Sequence, residues 1–291
     1  MLTNFGRRKR TLGYLTPSCV DEALEILARG GVFVIAGATD FYPARDAGPM
    51  PKLMDITAIP GLRGIRKEGG SWRIGATTTW SQIATAALPP AFDALRQAAA
   101  QVGAVQVRNV ATIAGNLCNA SPAADGVPPL LVLEAEVELA SARGRRRLAL
   151  SRFITGPRQT ALAPDELLVA LHIPAPPERA RSAFLKIGSR KHQVISFAMA
   201  AALIAPDAGR IGTARVAVGA CSPVVCRLPG LEQALKGRPL AVLAEPGLAR
   251  DEHLSPLSPI ADIRADAAWR REAAGVLAGR ALNAAGGPAD G

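Results

Sequence analysis

Aromatic residues make up only 4% of this 291-residue chain, which also has just four cysteines and three histidines. Each scarcity excludes something. Cys19, Cys118, Cys221 and Cys226 form no CxxC pair and no iron–sulfur or zinc spacing, so they read as reduced thiols buried as small apolar groups. His172, His192 and His253 are far apart in sequence, and no metal site is expected. No apolar run approaches the ~20 residues of a membrane span. Arg7-Arg8-Lys9-Arg10 looks like the head of an export signal, but no apolar stretch or cleavage pattern follows it, so the reading is a cytoplasmic protein.

About half of the chain (49%) is apolar, and Ala, Val, Leu and Ile build most of that share. This composition suits helices packed on sheets and argues against disorder. The net charge is +10, from 34 basic against 24 acidic residues. Arg143-Gly144-Arg145-Arg146-Arg147 reads as a hairpin turn between two apolar stretches. Neither basic run is interleaved with aromatics, so base stacking has no platform. A solvated face or subunit contact is the reading for both.

Along the chain, residues 18–29 read as a helix capped by Ser18 and stopped by Gly30-Gly31. Val32–Ile35 follows as a short buried strand, and Leu53–Ile56 as another. A second unit starts near Pro60. It comprises a strand at Ser71–Ala76, a helix capped by Thr79, and a longer helix over Ala91–Gly103 with Phe92, Leu95, Ala99 and Val102 on one face. Val110–Asn116 reads as a loop, the prolines at 122 and 128–129 as a turn, and Leu167–Ile173 as a strand. Pro174–Arg179 is the expected domain boundary. Beyond it, Phe197–Ile204 and Ala214–Gly219 read as antiparallel strands, and Ala265–Ala284 as a long helix.

Two glycine-containing segments carry the chemistry. In Ala36-Gly37-Ala38-Thr39-Asp40 a strand runs directly into Gly37, and Thr39 and Asp40 offer side chains for phosphate, ribose or backbone. In Thr112-Ile113-Ala114-Gly115-Asn116, Gly115 permits close backbone approach between a hydroxyl and a carboxamide. Successive amides in such turns can form an anion site, and two segments from different units can hold a pyrophosphate between them. There is no GxGxxG and no GxxxxGK[ST], so neither a Rossmann site nor a P-loop is read.

The stretch Gln106-Val107-Arg108-Asn109-Val110-Ala111-Thr112-Ile113-Ala114-Gly115-Asn116 through Ala120-Ser121-Pro122 to Asp125 closely resembles the signature of the FAD-binding subunits of molybdenum hydroxylases, the xanthine dehydrogenase and carbon monoxide dehydrogenase flavoproteins. Val34–Asp40 is similar to the other glycine segment of that family. Ala183–Arg190, Arg215–Ala220 and Pro259–Ala265 resemble its C-terminal domain, so the resemblance runs in order along nearly the whole chain. Two departures replace glycine by Ala38 and Ala114. Because alanine tolerates positive φ poorly, both positions are expected at ordinary angles.

The resemblance implies an α+β chain. A two-lobed FAD-binding domain of the vanillyl-alcohol oxidase type would span 1–176, with lobes of about 1–57 and 58–176. A C-terminal domain like that of the carbon monoxide dehydrogenase flavoproteins, with an antiparallel sheet and helices, would span 177–291. It also implies that Ile35, Ala36, Gly37, Ala38, Thr39, Asp40, Phe41 and Tyr42, with Thr112, Ile113, Ala114, Gly115 and Asn116, line the diphosphate and ribityl chain. Asp125 would contact the cofactor, and Val102, Leu168 and Lys186 fall near the flavin ring. On the residues alone, Asp125 is equally a turn cap beside Gly126, Lys186 a surface cation, and Leu168 a core residue. The family's partners are a molybdopterin-binding large subunit and a small subunit with two 2Fe–2S clusters, commonly as a dimer of heterotrimers. The flavin subunit relays electrons from the clusters to NAD, O2 or a quinone. Two other readings stand beside this one: a cofactor-free basic protein that binds nucleic acid, and a free-standing flavin oxidase.

Overall fold

The computed structural model of the chain describes residues 13–45, 48–190 and 194–287. The run Arg7–Arg10 and His192 lie outside the described residues. The first lobe is a parallel sheet of β1 (Tyr14–Leu15), β2 (Val32–Ile35) and β3 (Lys52–Asp55), in the order β1-β3-β2. Helix α1 (Val20–Ala28) connects β1 to β2 and buries Ala23, Leu24 and Leu27. Ser18 does not cap it. Cys19 holds the cap position, and the Ser18 amide and hydroxyl both donate to Glu22, at 2.7 and 2.8 Å. Gly30 and Gly31, both at φ +71°, end the helix as expected. Only Ile35 of β2 is buried, because β2 is an edge strand. Phe33 is half-exposed and packs against Phe41, 4.8 Å between ring centres.

The second lobe is a five-stranded antiparallel sheet in the order β4-β5-β10-β6-β7. Its first strands are β4 (Ile65–Glu68) and β5 (Ser71–Gly75). Helices α2 (Trp80–Thr85), α3 (Asp93–Gln101), α4 (Val105–Val110), α5 (Ile113–Asn119) and α6 (Val127–Val132) follow, then β6 (Glu136–Ser141) and β7 (Gly144–Ala149). A short helix α7 (Leu150–Phe153) and the hairpin β8 (Ile154–Gly156) and β9 (Gln159–Thr160) lead to β10 (Leu167–Ile173). Thr79 caps α2 in a reciprocal box with Gln82. The expected loop over 110–116 is instead the junction of two helices. Pro128 and Pro129 make no turn. They occupy the first turn of α6, where a missing N–H leaves no bond unmade. The basic run begins in the hairpin turn, at Arg143, but Arg145, Arg146 and Arg147 lie on β7 itself. Arg143 pairs with Asp165, Arg145 with Glu138 and Arg146 with Glu166.

One face of this sheet and its helices share a core. At one end of the other face, Ala140, Leu167 and Val169 pack against Ala23, Leu24, Leu27 and Met54 of the first lobe. The third region is an antiparallel sheet in the order of its strands, β11 (Arg181–Ile187), β12 (Ala198–Asp207), β13 (Arg210–Gly219) and β14 (Cys226–Arg227), with α8 (Pro229–Leu235) and α9 (Ala267–Gly286). Phe184, Met199, Leu203 and Ala217 join the core of the second lobe, so apolar packing is continuous across Pro174–Arg179. Ser182 ties the two regions, donating to Ala91 O at 2.7 Å and accepting from Ala94 N at 2.9 Å. The opposite face packs on α9 through Ala198, Ala200 and Ala202 of β12 and Ala274, Ala278 and Ala281 of the helix. Small residues on both sides let helix and sheet approach closely, which is how so aromatic-poor a chain fills its interior.

Candidate cofactor site

The first glycine segment packs against the backbone that leads into the second. A Cβ built on Gly37 would stand 2.1 Å from Val110 O and 2.8 Å from Ala111 Cα. Gly37 is therefore a point of close contact between the lobes, and a left-handed angle is not what requires glycine there. Ala38 takes that angle, at φ +52°. This overturns the expectation of ordinary geometry at Ala38 and costs the fold roughly 1 kcal/mol or more. Ala114, inside α5, keeps ordinary geometry as expected.

The amides of the two segments are used in opposite ways. Among the described residues, the N–H groups of Gly37, Ala38, Thr39, Asp40 and Phe41 donate no hydrogen bond. Consecutive free amides around a left-handed residue form a concave donor set suited to an anion. The second segment has no such surplus. Thr112 is the N-cap of α5 and accepts from Gly115 N at 3.2 Å, while Ile113 N donates to Thr78 O (3.0 Å) and Ala114 N to Ala76 O (3.2 Å). The end of β5 and its following turn therefore consume the first amides of α5.

What the second segment offers is a wall. A Cβ on Gly115 would meet only Thr112 Oγ1, at 3.0 Å, so its Cα faces open space. Cys118, one turn on, touches solvent although surrounding protein pushes its thiol up to about 12. Cys19 is exposed too, so two of the four thiols are not the buried groups expected. Between Gly115 and Cys118, Asn116 Oδ1 is buried and has no hydrogen-bond partner among the described residues. A buried amide oxygen left unpaired costs about 1–3 kcal/mol, which a donor from a bound group would offset. That oxygen stands 2.9 Å from where a Cβ on Gly126 would lie, and only glycine at 126 leaves it room.

Asp125, next along, is buried and caps no turn. Its Oδ2 is 2.5 Å from Lys186 Nζ, and Ser196 Oγ donates to its Oδ1 at 2.6 Å. Burial pushes the Asp125 carboxyl up, while Lys186 and Ser196 pull it the other way. Lys186 is no surface cation: its side chain is 5% exposed, and its ammonium also donates to Gln101 O at 3.3 Å. Val102 follows Gln101 as the half-buried cap of α3. Leu168 lies in the core on β10, which runs against α5. Ile35 and Ile113 are buried; Phe41 and Tyr42 form an edge-to-face ring pair 5.2 Å apart at the open rim, with Tyr42 half-exposed. Thr39 and Asp40 lie at the rim with them. Gly126, Gln101 and Ser196 were not singled out in the sequence. Ser196 lies 71 residues from the carboxylate it serves, and no local pattern marks it.

Contacts thus run from the first lobe through Gly37, across Val110–Asn116 and Gly126, to Asp125 and the C-terminal region at Lys186. Free amides, an orphaned carboxamide oxygen and an open glycine face fit a dinucleotide lying along that line. The two cavities described on the surface, of about 380 and 610 Å³, are lined by none of these residues.

Sequence-family comparison matches residues 7–176 to the FAD binding domain in molybdopterin dehydrogenase, and 183–285 to the CO dehydrogenase flavoprotein C-terminal domain. The chain belongs to the FAD-binding subunits of the molybdenum hydroxylase family: it is an oxidoreductase subunit whose cofactor is FAD. It is 38% identical over 191 residues to the xanthine dehydrogenase FAD-binding subunit of Escherichia coli, a match over 65% of each chain. With the carbon monoxide dehydrogenase medium chain of Hydrogenophaga pseudoflava it shares 31% identity over 278 residues, covering 94% of this chain and 96% of that one. The solved carbon monoxide dehydrogenase of that organism superposes with a TM-score of 0.85 at 30% identity, over 94% and 96% of the two chains. Quinoline 2-oxidoreductase from Pseudomonas putida 86 gives 0.85 at 25% identity, over the same shares.

Proposed function

We propose that this chain is the electron-transfer link of a molybdenum hydroxylase. It takes electrons from 2Fe–2S clusters of a small partner subunit and passes them to an external acceptor, either NAD, O2 or a quinone. A molybdopterin-binding large subunit performs the substrate hydroxylation, and the assembly is a cytoplasmic dimer of heterotrimers. Among the described residues no three His, Cys, Asp or Glu side chains cluster to hold a metal, and no helix is long and apolar enough to cross a membrane. Bound FAD supplies the redox chemistry, and the protein binds and orients it.

The residues divide the work. The amides from Gly37 to Phe41 hold the diphosphate, with Ile35, Ala36 and Tyr42 flanking it. Gly115 admits the cofactor, Asn116 Oδ1 accepts from it, and Thr112, Ile113 and Ala114 fix that wall in place. Asp125 acts through Lys186, holding the ammonium beside Val102 and Leu168, where the ring system lies. FAD-binding residues 1–176 and C-terminal residues 177–291 form the two domains, a division that the family matches at 7–176 and 183–285 support. The observation that carries this reading is the run of five free amides packed, through Gly37, on the backbone leading to a partnerless Asn116 oxygen.

Visible absorbance tests it. The purified chain is expected to be yellow, or to become so on adding FAD, and to oxidise no organic substrate unaided. A colourless chain that takes up no FAD refutes the assignment of these residues; turnover by the chain alone favours a free-standing oxidase.

A further inference from the structure

The five-stranded sheet has a second polar feature, on the face away from its helices and beyond the end closed by the first lobe. Three basic residues stand in one rung across three strands. Arg66 of β4 is directly opposite Arg73 of β5, and Arg73 is directly opposite His172 of β10. Like charges directly opposite each other on a sheet face are destabilising. Arg73 is also nearly buried, at 9% exposure, and burial followed by the nearby Arg66 lowers its guanidinium pKa. A guanidinium in that position calls for a partner.

The chain's own carboxylates do not supply one. Glu68 is engaged by Arg66. Glu138 is engaged on both oxygens, by Arg145 Nη1 at 2.5 Å and His172 Nε2 at 2.6 Å. Glu136, also on β6 and opposite His172, makes no ion pair among the described residues and lines an adjoining cleft that Arg147 and His172 share. Arg73 donates only to Gly61 O, at 3.1 Å, and Arg147 makes no ion pair among the described residues. Both arginines line one cavity of about 380 Å³, closed on one side by Val20 of the neighbouring lobe and by Pro60–Leu62. Its lining holds four arginines against two glutamates, an excess of two positive charges carried by the two arginines without carboxylates.

We propose that this cavity is a binding site for a small dianionic oxyanion of the phosphate type, held by Arg73 and Arg147 and separate from the FAD site. Guanidinium groups match the geometry of such an oxyanion through paired N–H donors, and a charge of −2 balances the excess. Val20 of the first lobe contributes one edge of the cavity, and the second lobe contributes the rest. A monoanionic carboxylate neutralises only half of the excess and binds more weakly.

The test is calorimetric titration of the full chain with inorganic phosphate, and with acetate, at constant ionic strength, with and without saturating FAD. Thermal midpoints are read alongside. Saturable phosphate binding tighter than acetate binding, equal with and without FAD, is expected, with a rise in the midpoint. Arg73→Gln and Arg147→Gln each lose phosphate affinity about tenfold or more, and Arg73→Gln without phosphate melts higher than the parent because the Arg66 repulsion is gone. Arg147 is exposed, so its variant folds even where Arg73→Gln does not. Phosphate binding that disappears when FAD is added overturns the proposal, since the anion then occupies the cofactor site. So does a response to phosphate that both variants retain in full.

Discussion

The two glycine segments look alike in sequence, with a small apolar pair, a glycine and a polar residue, yet they do different physical work. Residues 36–41 keep their amides free and offer backbone donors; residues 112–116 spend theirs on the turn after β5 and offer a carboxamide and an open face. The glycines differ too. Gly37 lacks a side chain so that protein backbone can approach it, whereas Gly115 lacks one where no protein atom beyond its own cap lies within contact. A glycine packed on protein backbone and a glycine whose Cβ position meets only its own cap answer substitution with opposite signs in stability, and that contrast makes the comparison testable.

The largest effect is expected at Gly37→Ala. Its methyl meets Val110 O, the lobes must separate, and stability should fall by about 2–3 kcal/mol, as for an overpacked core. FAD affinity should fall by two orders of magnitude or more. Urea unfolding and flavin titration measure both; a stable variant with normal FAD binding breaks the claim that this glycine joins the segments. Gly115→Ala should separate the two properties. The fold should hold or gain up to about 1 kcal/mol from helix propensity, while FAD retention drops at least tenfold. Equal loss of stability would mean that Gly115 packs on protein after all.

Asn116→Ala is next in size. Removing an unpaired buried oxygen should leave the cofactor-free chain as stable as before or about 1 kcal/mol more so, and weaken FAD by about tenfold. Differential scanning of the FAD-free and FAD-saturated forms reads this as a smaller ligand-induced rise in the melting midpoint. The smallest effect is expected at Ala38→Gly, which relieves the left-handed strain for a gain below about 1 kcal/mol and leaves FAD binding intact. A destabilised variant would place the strain elsewhere.

Much of the architecture was readable from local pattern. The Thr79 cap, the apolar run Leu167–Ile173 and the long terminal helix are each decided by nearby residues, and each formed where expected. Misreadings came where a local cue had a tertiary answer. The segment 110–116 has loop-like polarity, but Thr112 turns it into a helix start because the end of β5 supplies acceptors for its amides. The apolar stretch Val32–Ile35 reads as buried, and its place at a sheet edge leaves Phe33 half in solvent.

By itself the sequence determined the order of elements, because periodicity is a property of neighbouring residues, and its resemblance to a family carried the cofactor class and the identity of the two segments. Only the tertiary structure decided which segment keeps its amides, why Gly37 cannot carry a side chain, and that Asp125 meets Lys186 and Ser196 across 61 and 71 residues of chain. The same holds for the rung of Arg66, Arg73 and His172. The reason is physical in each case: a hydrogen bond, a steric limit or an uncompensated charge belongs to atoms brought together by folding, and the spacing of residues along the chain does not encode which atoms those will be.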